Sequence, residues 1–141
     1  MRTDLSRTTR SGLSGLAATF PMTAVLLGAE SLGLLDELPP TRIVRHLLPG
    51  LDDRAAQVLA AAAHAGYGAA AGAALGALAP ASPLRRRATI AWALAVYLAS
   101  YQGWVPVAGV LPPAIRDRRG RVLSIVLAHV VWGAALRVRS R

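Results

Sequence analysis

The chain has 141 residues, of which 54% are hydrophobic and only 16% charged, and a mean hydropathy of +0.43. Soluble domains carry about 25% charged residues, so the composition argues against a soluble globular fold, and the lack of cysteine argues against a disulfide-stapled one. The net charge of +9 comes from arginine alone; the arginines cluster at the ends of apolar stretches without interleaved aromatics, which suits anionic lipid headgroups and not nucleic acid.

Four stretches, 12–29, 55–84, 88–115 and 122–136, contain no Asp, Glu, Lys or Arg. A basic tail over 1–11 leads into a first predicted span over 12–35, with Glu30 near its far end. Pro21 lies inside that span, and Thr19 and Thr23 can occupy the backbone groups it frees. A basic start before an apolar run also fits a cleaved leader, with Leu27-Gly28-Ala29 as its cleavage site; the apolar core exceeds the usual ~7–15 residues, so the span is expected to stay. Residues 36–54 form a polar loop. Within it Ile43, Val44, Leu47 and Leu48 share one helical face and Arg42, Arg45 and His46 the other, the pattern of a short helix lying in the membrane interface.

The second span is expected over 55–79, ending in the turn Pro80-Ala81-Ser82-Pro83. The third covers 88–111, where Gln102, Gly103 and Pro106 predict a bend. The fourth, 122–136, is only about 22 Å long at 1.5 Å per residue; it relies on Arg121 and Arg137 snorkelling to headgroups.

An internal repeat organises these spans. Ala63-His64-Ala65-Gly66-Tyr67-Gly68-Ala69-Ala70 matches Ala128-His129-Val130-Val131-Trp132-Gly133-Ala134-Ala135, and Leu38-Pro39-Pro40 matches Leu111-Pro112-Pro113. The predicted fold is therefore all-α: a single membrane domain over 1–141, a four-helix bundle built from two parallel two-helix units, 12–79 and 88–136, plus the short interfacial helix. With the N-terminus inside, nine arginines fall on the inner side and seven on the outer, which favours both termini in the cytoplasm.

Gly68, Gly72 and Gly76 follow His64 at four-residue spacing, a small-residue ridge for close helix approach, and Gly133 stands in the same relation to His129. His64 lies ten residues beyond Arg54 and His129 ten beyond Arg119, so both are expected about 15 Å deep, near the bilayer midplane. They form a predicted symmetric pair, an intramembrane polar site with Tyr101 and Gln102. The alternative is that each imidazole bonds a neighbouring helix, or Ser100, Tyr101 or Gln102. Tyr97, Tyr101 and Trp104 share a helical face, either lining a cavity or anchoring at the interface. Glu37, His46, Asp52 and Asp53 offer a loop cluster for a cation. No nucleophile triad, phosphate loop, zinc or dinucleotide motif is present, so no catalytic residue, metal ligand or cofactor is assigned.

The segments Gly15-Leu16-Ala17-Ala18-Thr19-Phe20-Pro21-Met22, Leu38-Pro39-Pro40-Thr41-Arg42-Ile43, Ala63-His64 with Tyr67-Gly68, Trp104-Val105-Pro106 and His129-Val130-Val131-Trp132-Gly133-Ala134 resemble the YagU-like bacterial inner-membrane proteins. The resemblance implies a four-span, multi-pass protein of the bacterial cytoplasmic membrane and assigns no catalytic residue. Exclusive arginine and abundant alanine suit a high-GC bacterium. The expected role is a helix-packing scaffold or subunit, as a homo-oligomer or with a membrane-protein partner. The alternatives are a small transporter or proton path through His64 and His129, or a bis-histidine haem protein.

Overall fold

Uncharged stretches this long satisfy their backbone polar groups internally, and they do so as helices. The computed structural model describes residues 5–79 and 84–138, with side chains from Arg7 onward. In chain order it has α1 (Leu5–Ser31), α2 (Pro39–Leu47), α3 (Asp53–Leu78), α4 (Arg86–Tyr97), a π-helical segment (Leu98–Trp104), a three-residue α5 (Val105–Val107), a 3-10 turn (Ala114–Arg116) and α6 (Arg119–Ala135). Among the described residues there is no strand, and the fold is all-α.

Local chemistry explains the ends. α1 runs through Pro21, with the Thr19 hydroxyl donating to Leu16 O at 2.6 Å. It stops at Gly33, whose φ of +72° lets Leu34 N reach Ala29 O and Gly33 N reach Glu30 O, a Schellman closure. The Asp52 carboxylate accepts from Ala55 N at 2.8 Å and caps α3.

The predicted boundaries need correction. Part of the basic tail is helical, because α1 begins at Leu5 and Ser11 is buried against Gly72 and Gly76 of α3. The third span, by contrast, bends where Gln102, Gly103 and Pro106 predict it. It widens into π turns from Leu98, and Gly103 leaves helical geometry altogether (φ −99°, ψ −106°), just ahead of Pro106, which has no N–H to continue the ladder. Among the described residues two helices are long and apolar enough to cross a membrane, α1 from Arg7 and α3. α6, at 17 residues, is about 26 Å long. The turn at 80–83 lies outside the described residues.

The long helices run up, down, up, down. Arg7 at the start of α1 donates to Ala79 O just beyond α3. Arg137 N, past the end of α6, donates to Ser14 Oγ of α1 at 2.7 Å. α1 packs along both α3 and α6, and α6 along α4. Backbones meet where side chains vanish. A Cβ on Gly15 would sit 3.0 Å from Gly72 Cα and closer still to Gly68 O, and one on Gly133 would lie 2.7 Å from Ile90 Cα of α4. Trp132 of α6 donates its indole N–H to Gly15 O at 3.0 Å, locking α6 to the α1–α3 seam. The remaining pair, α3 and α4, scarcely meets.

α2 lies on α3, with Val44 buried against Ala56 and Ala60. Its apolar face is not uniformly exposed to an interface: Ile43 and Val44 turn inward while Leu47 and Leu48 stay out.

Candidate functional site

Where α3 and α4 part, a cavity of about 270 Å³ remains. α1 supplies its back wall with Met22 and Leu26, α2 closes it with Pro39, Pro40 and Ile43, and α6 contributes Ile125 and Trp132. His64 from α3 and His129 from α6 both line it, as do Ser100, Tyr101 and Trp104 from the π segment. No Asp, Glu or Arg is among the lining residues.

The two imidazoles differ in their bonding. His129 Nδ1 lies 2.8 Å from Ile125 O, four residues back on its own helix. A carbonyl only accepts, so Nδ1 carries the proton and a neutral ring presents Nε2 as an acceptor. The Tyr97 ring packs edge-on against His129 at 5.5 Å and holds its plane. His64 has no hydrogen-bond partner among the described residues, and its Nε2 is buried. A buried polar atom without a partner costs about 1–3 kcal/mol. Neither histidine bonds Ser100, Tyr101 or Gln102, which corrects the alternative drawn from sequence: Ser100 pairs with Tyr67 and Tyr101 with Asp117.

Gln102 does not join the site. It is exposed, and its Oε1 accepts from Ala114 N at 3.2 Å in the following loop. As the neighbour of Tyr101 in the chain, it lies well round the helix from the side that lines the cavity. Gly68, Gly72 and Gly76 face α1, where Thr19, Gly15 and Ser11 meet them, and Gly133 faces Thr89, Ile90 and Ala93 of α4.

Beside the cavity stands a polar network that sequence reasoning missed. Tyr101 donates its hydroxyl to Asp117 Oδ2. Arg121 bridges Asp117 Oδ1 at 2.8 Å and Asp36 Oδ2 at 2.7 Å, and Arg118 binds Asp36 as well. Arg121 is 7% exposed, so it does not snorkel to headgroups; an inward carboxylate holds it. The available signal was the i, i+4 spacing of Asp117 and Arg121. Burial works to raise the Asp117 carboxyl, but hydrogen bonds from Tyr101, the Arg118 amide and Arg121 outweigh it and hold the group below the usual carboxylate range. The Arg118 hydrogen bond likewise holds Asp36 low.

The first loop does not gather a cation site. Asp52 caps α3, while Glu37 and Asp53 both pair with Arg45; no group of three metal-binding side chains exists among the described residues. The cavity falls just under the roughly 300–1,000 Å³ of drug-sized sites. Searches of protein-family models, curated proteins and solved structures gave no match to this chain.

Proposed function

We propose that the chain is an integral four-helix protein of a bacterial cytoplasmic membrane, both termini inside, which binds a small lipophilic molecule between its helices. The observation that carries this reading is the apolar cavity lined by His64, which has no hydrogen-bond partner among the described residues, and by His129, whose Nε2 has none. Polar groups are kept at depth in a membrane protein where they have work to do. The membrane part is supported by the outer surface: Leu13, Phe20, Val58, Leu78, Leu98 and Leu123 are each more than half exposed and recur on α1, α3, the π segment and α6. A soluble protein rarely leaves so much apolar surface uncovered. Kinship with the YagU-like proteins and the two-unit repeat belong to the same proposal. A scaffold or subunit role draws less support, because the glycine ridge is occupied by α1 of the same chain.

Ligand binding stabilises a folded state in proportion to the logarithm of ligand concentration over Kd. In mild detergent, decylbenzene is expected to raise the melting temperature, with the rise growing as the logarithm of its concentration above Kd. Ala63→Leu, which puts a larger side chain on the cavity wall, is expected to abolish that rise while the variant still folds. A wild-type protein without the rise ends the binding reading, and Ala63→Leu keeping all of it moves the ligand elsewhere.

A further inference from the structure

The cavity's hydrogen-bonding groups define what it can recognise. Thr19 donates to Leu16 O, Trp132 to Gly15 O and Tyr101 to Asp117. Ser100 donates its one proton to Val96 O and therefore accepts from the Tyr67 hydroxyl at 2.8 Å. That leaves His64, the Nε2 of His129 and the half-exposed Trp104 indole without a protein partner among the described residues. His129 offers an acceptor, while neutral His64 offers one donor and one acceptor. A group that both donates and accepts, a hydroxyl, satisfies this set. A carbonyl or an ether leaves His129 unmatched. A carboxylate or phosphate finds no arginine on the wall.

The shape narrows the choice. Tyr67, Tyr101, Trp104, Trp132 and the two imidazoles line the space, and rings prefer rings in stacked or edge-on contact. A volume near 270 Å³ takes one aromatic ring with the first carbons of a chain. The chain's exit is the α3–α4 seam, which two hydrogen bonds close among the described residues: Tyr67 to Ser100 at 2.8 Å and Trp92 Nε1 to Ala71 O at 3.1 Å. In a bilayer that seam faces acyl chains.

Building on the proposed lipophile-binding role, we infer that the cavity is a site for a tailed aromatic alcohol, a single-ring phenol or hydroquinone whose hydroxyl bonds His129 and His64 while its alkyl or isoprenoid tail leaves between α3 and α4. The test uses the purified full chain in mild detergent and reads Kd from the ligand dependence of melting. The probes are 4-decylphenol, its methyl ether, decylbenzene and decan-1-ol at equal mole fraction in the micelle. The phenol is expected to bind at least tenfold tighter than the other three. His129→Phe is expected to bring the phenol to the level of its ether while decylbenzene still binds, which shows that the variant keeps its cavity.

If the phenol and its ether bind alike, the hydroxyl assignment is overturned and lipophile binding stands. If decan-1-ol matches the phenol, the aromatic assignment is overturned. If no probe binds, both this inference and the proposed function fall.

Discussion

Asp117→Ala is expected to lower the unfolding free energy by about 3–5 kcal/mol, the usual consequence of removing one member of a buried ion pair. The loss would leave Arg121 with only the half-exposed Asp36 and would strand the Tyr101 hydroxyl beside the cavity. The double variant Asp117→Asn, Arg121→Met is expected to recover most of the stability, because it removes both charges and their desolvation cost while the amide oxygen of the new asparagine still accepts from Tyr101. Acid should reproduce the single variant. Asp36 and Asp117 both lie below the ordinary carboxylate value of 3.8, so their stabilisation is complete above it and disappears as pH falls through their folded-state values. Melting followed from pH 7 to pH 2 would show a flat region and then a drop in the wild type, with the drop weakened in the double variant. An Asp117→Ala protein that melts with the wild type would remove the network from the account of the fold.

Gly72→Leu is expected to cost at least ~3 kcal/mol, the upper part of the range for overpacking. A Cβ there would already lie 2.8 Å from Gly15 Cα, with Ser11 O nearer still. These obstacles are backbone and cannot rotate away, so α1 and α3 must separate. Gly66 on the same helix has nothing within 4 Å of its added Cβ. Gly66→Ala is expected to be neutral, or to gain up to about 1 kcal/mol of helix stability. Equal melting of the Gly72→Leu and Gly66→Ala proteins would mean that the ridge does not touch α1.

Hydropathy and periodicity located the helices well where a whole segment agreed. The uncharged runs around Phe20, His64 and His129 became α1, α3 and α6, displaced by two to seven residues at their N-terminal ends. What escaped was pairing at a distance. The i, i+4 spacing links Arg121 to Asp117, but only the fold brings Asp36, eighty-five residues away, to its side. The histidines stood out because an ionisable group in an apolar run is costly wherever it lies. Their shared cavity depends on α3 and α4 failing to pack, and no pattern within either helix encodes a gap. Gln102 was misplaced because polarity and depth alone group it with the histidines, although one residue along from Tyr101 turns a side chain about 100° round a helix.

The π-helical segment acts like a shift of reading frame inside a helix. Each residue advances an α-helix by about 100°, so a wide π turn sets everything after it out of phase with everything before. Upstream, Tyr97 faces α6 and packs edge-on against His129; downstream, Trp104 and Val105 form part of the cavity wall. Deleting one residue between 98 and 104 would change composition and hydropathy hardly at all, yet it would turn Trp104 and Val105 about 100° off that wall. Two chains of this kind can therefore look alike along their whole length and differ by a single residue in whether the space between α3 and α4 has a fourth side.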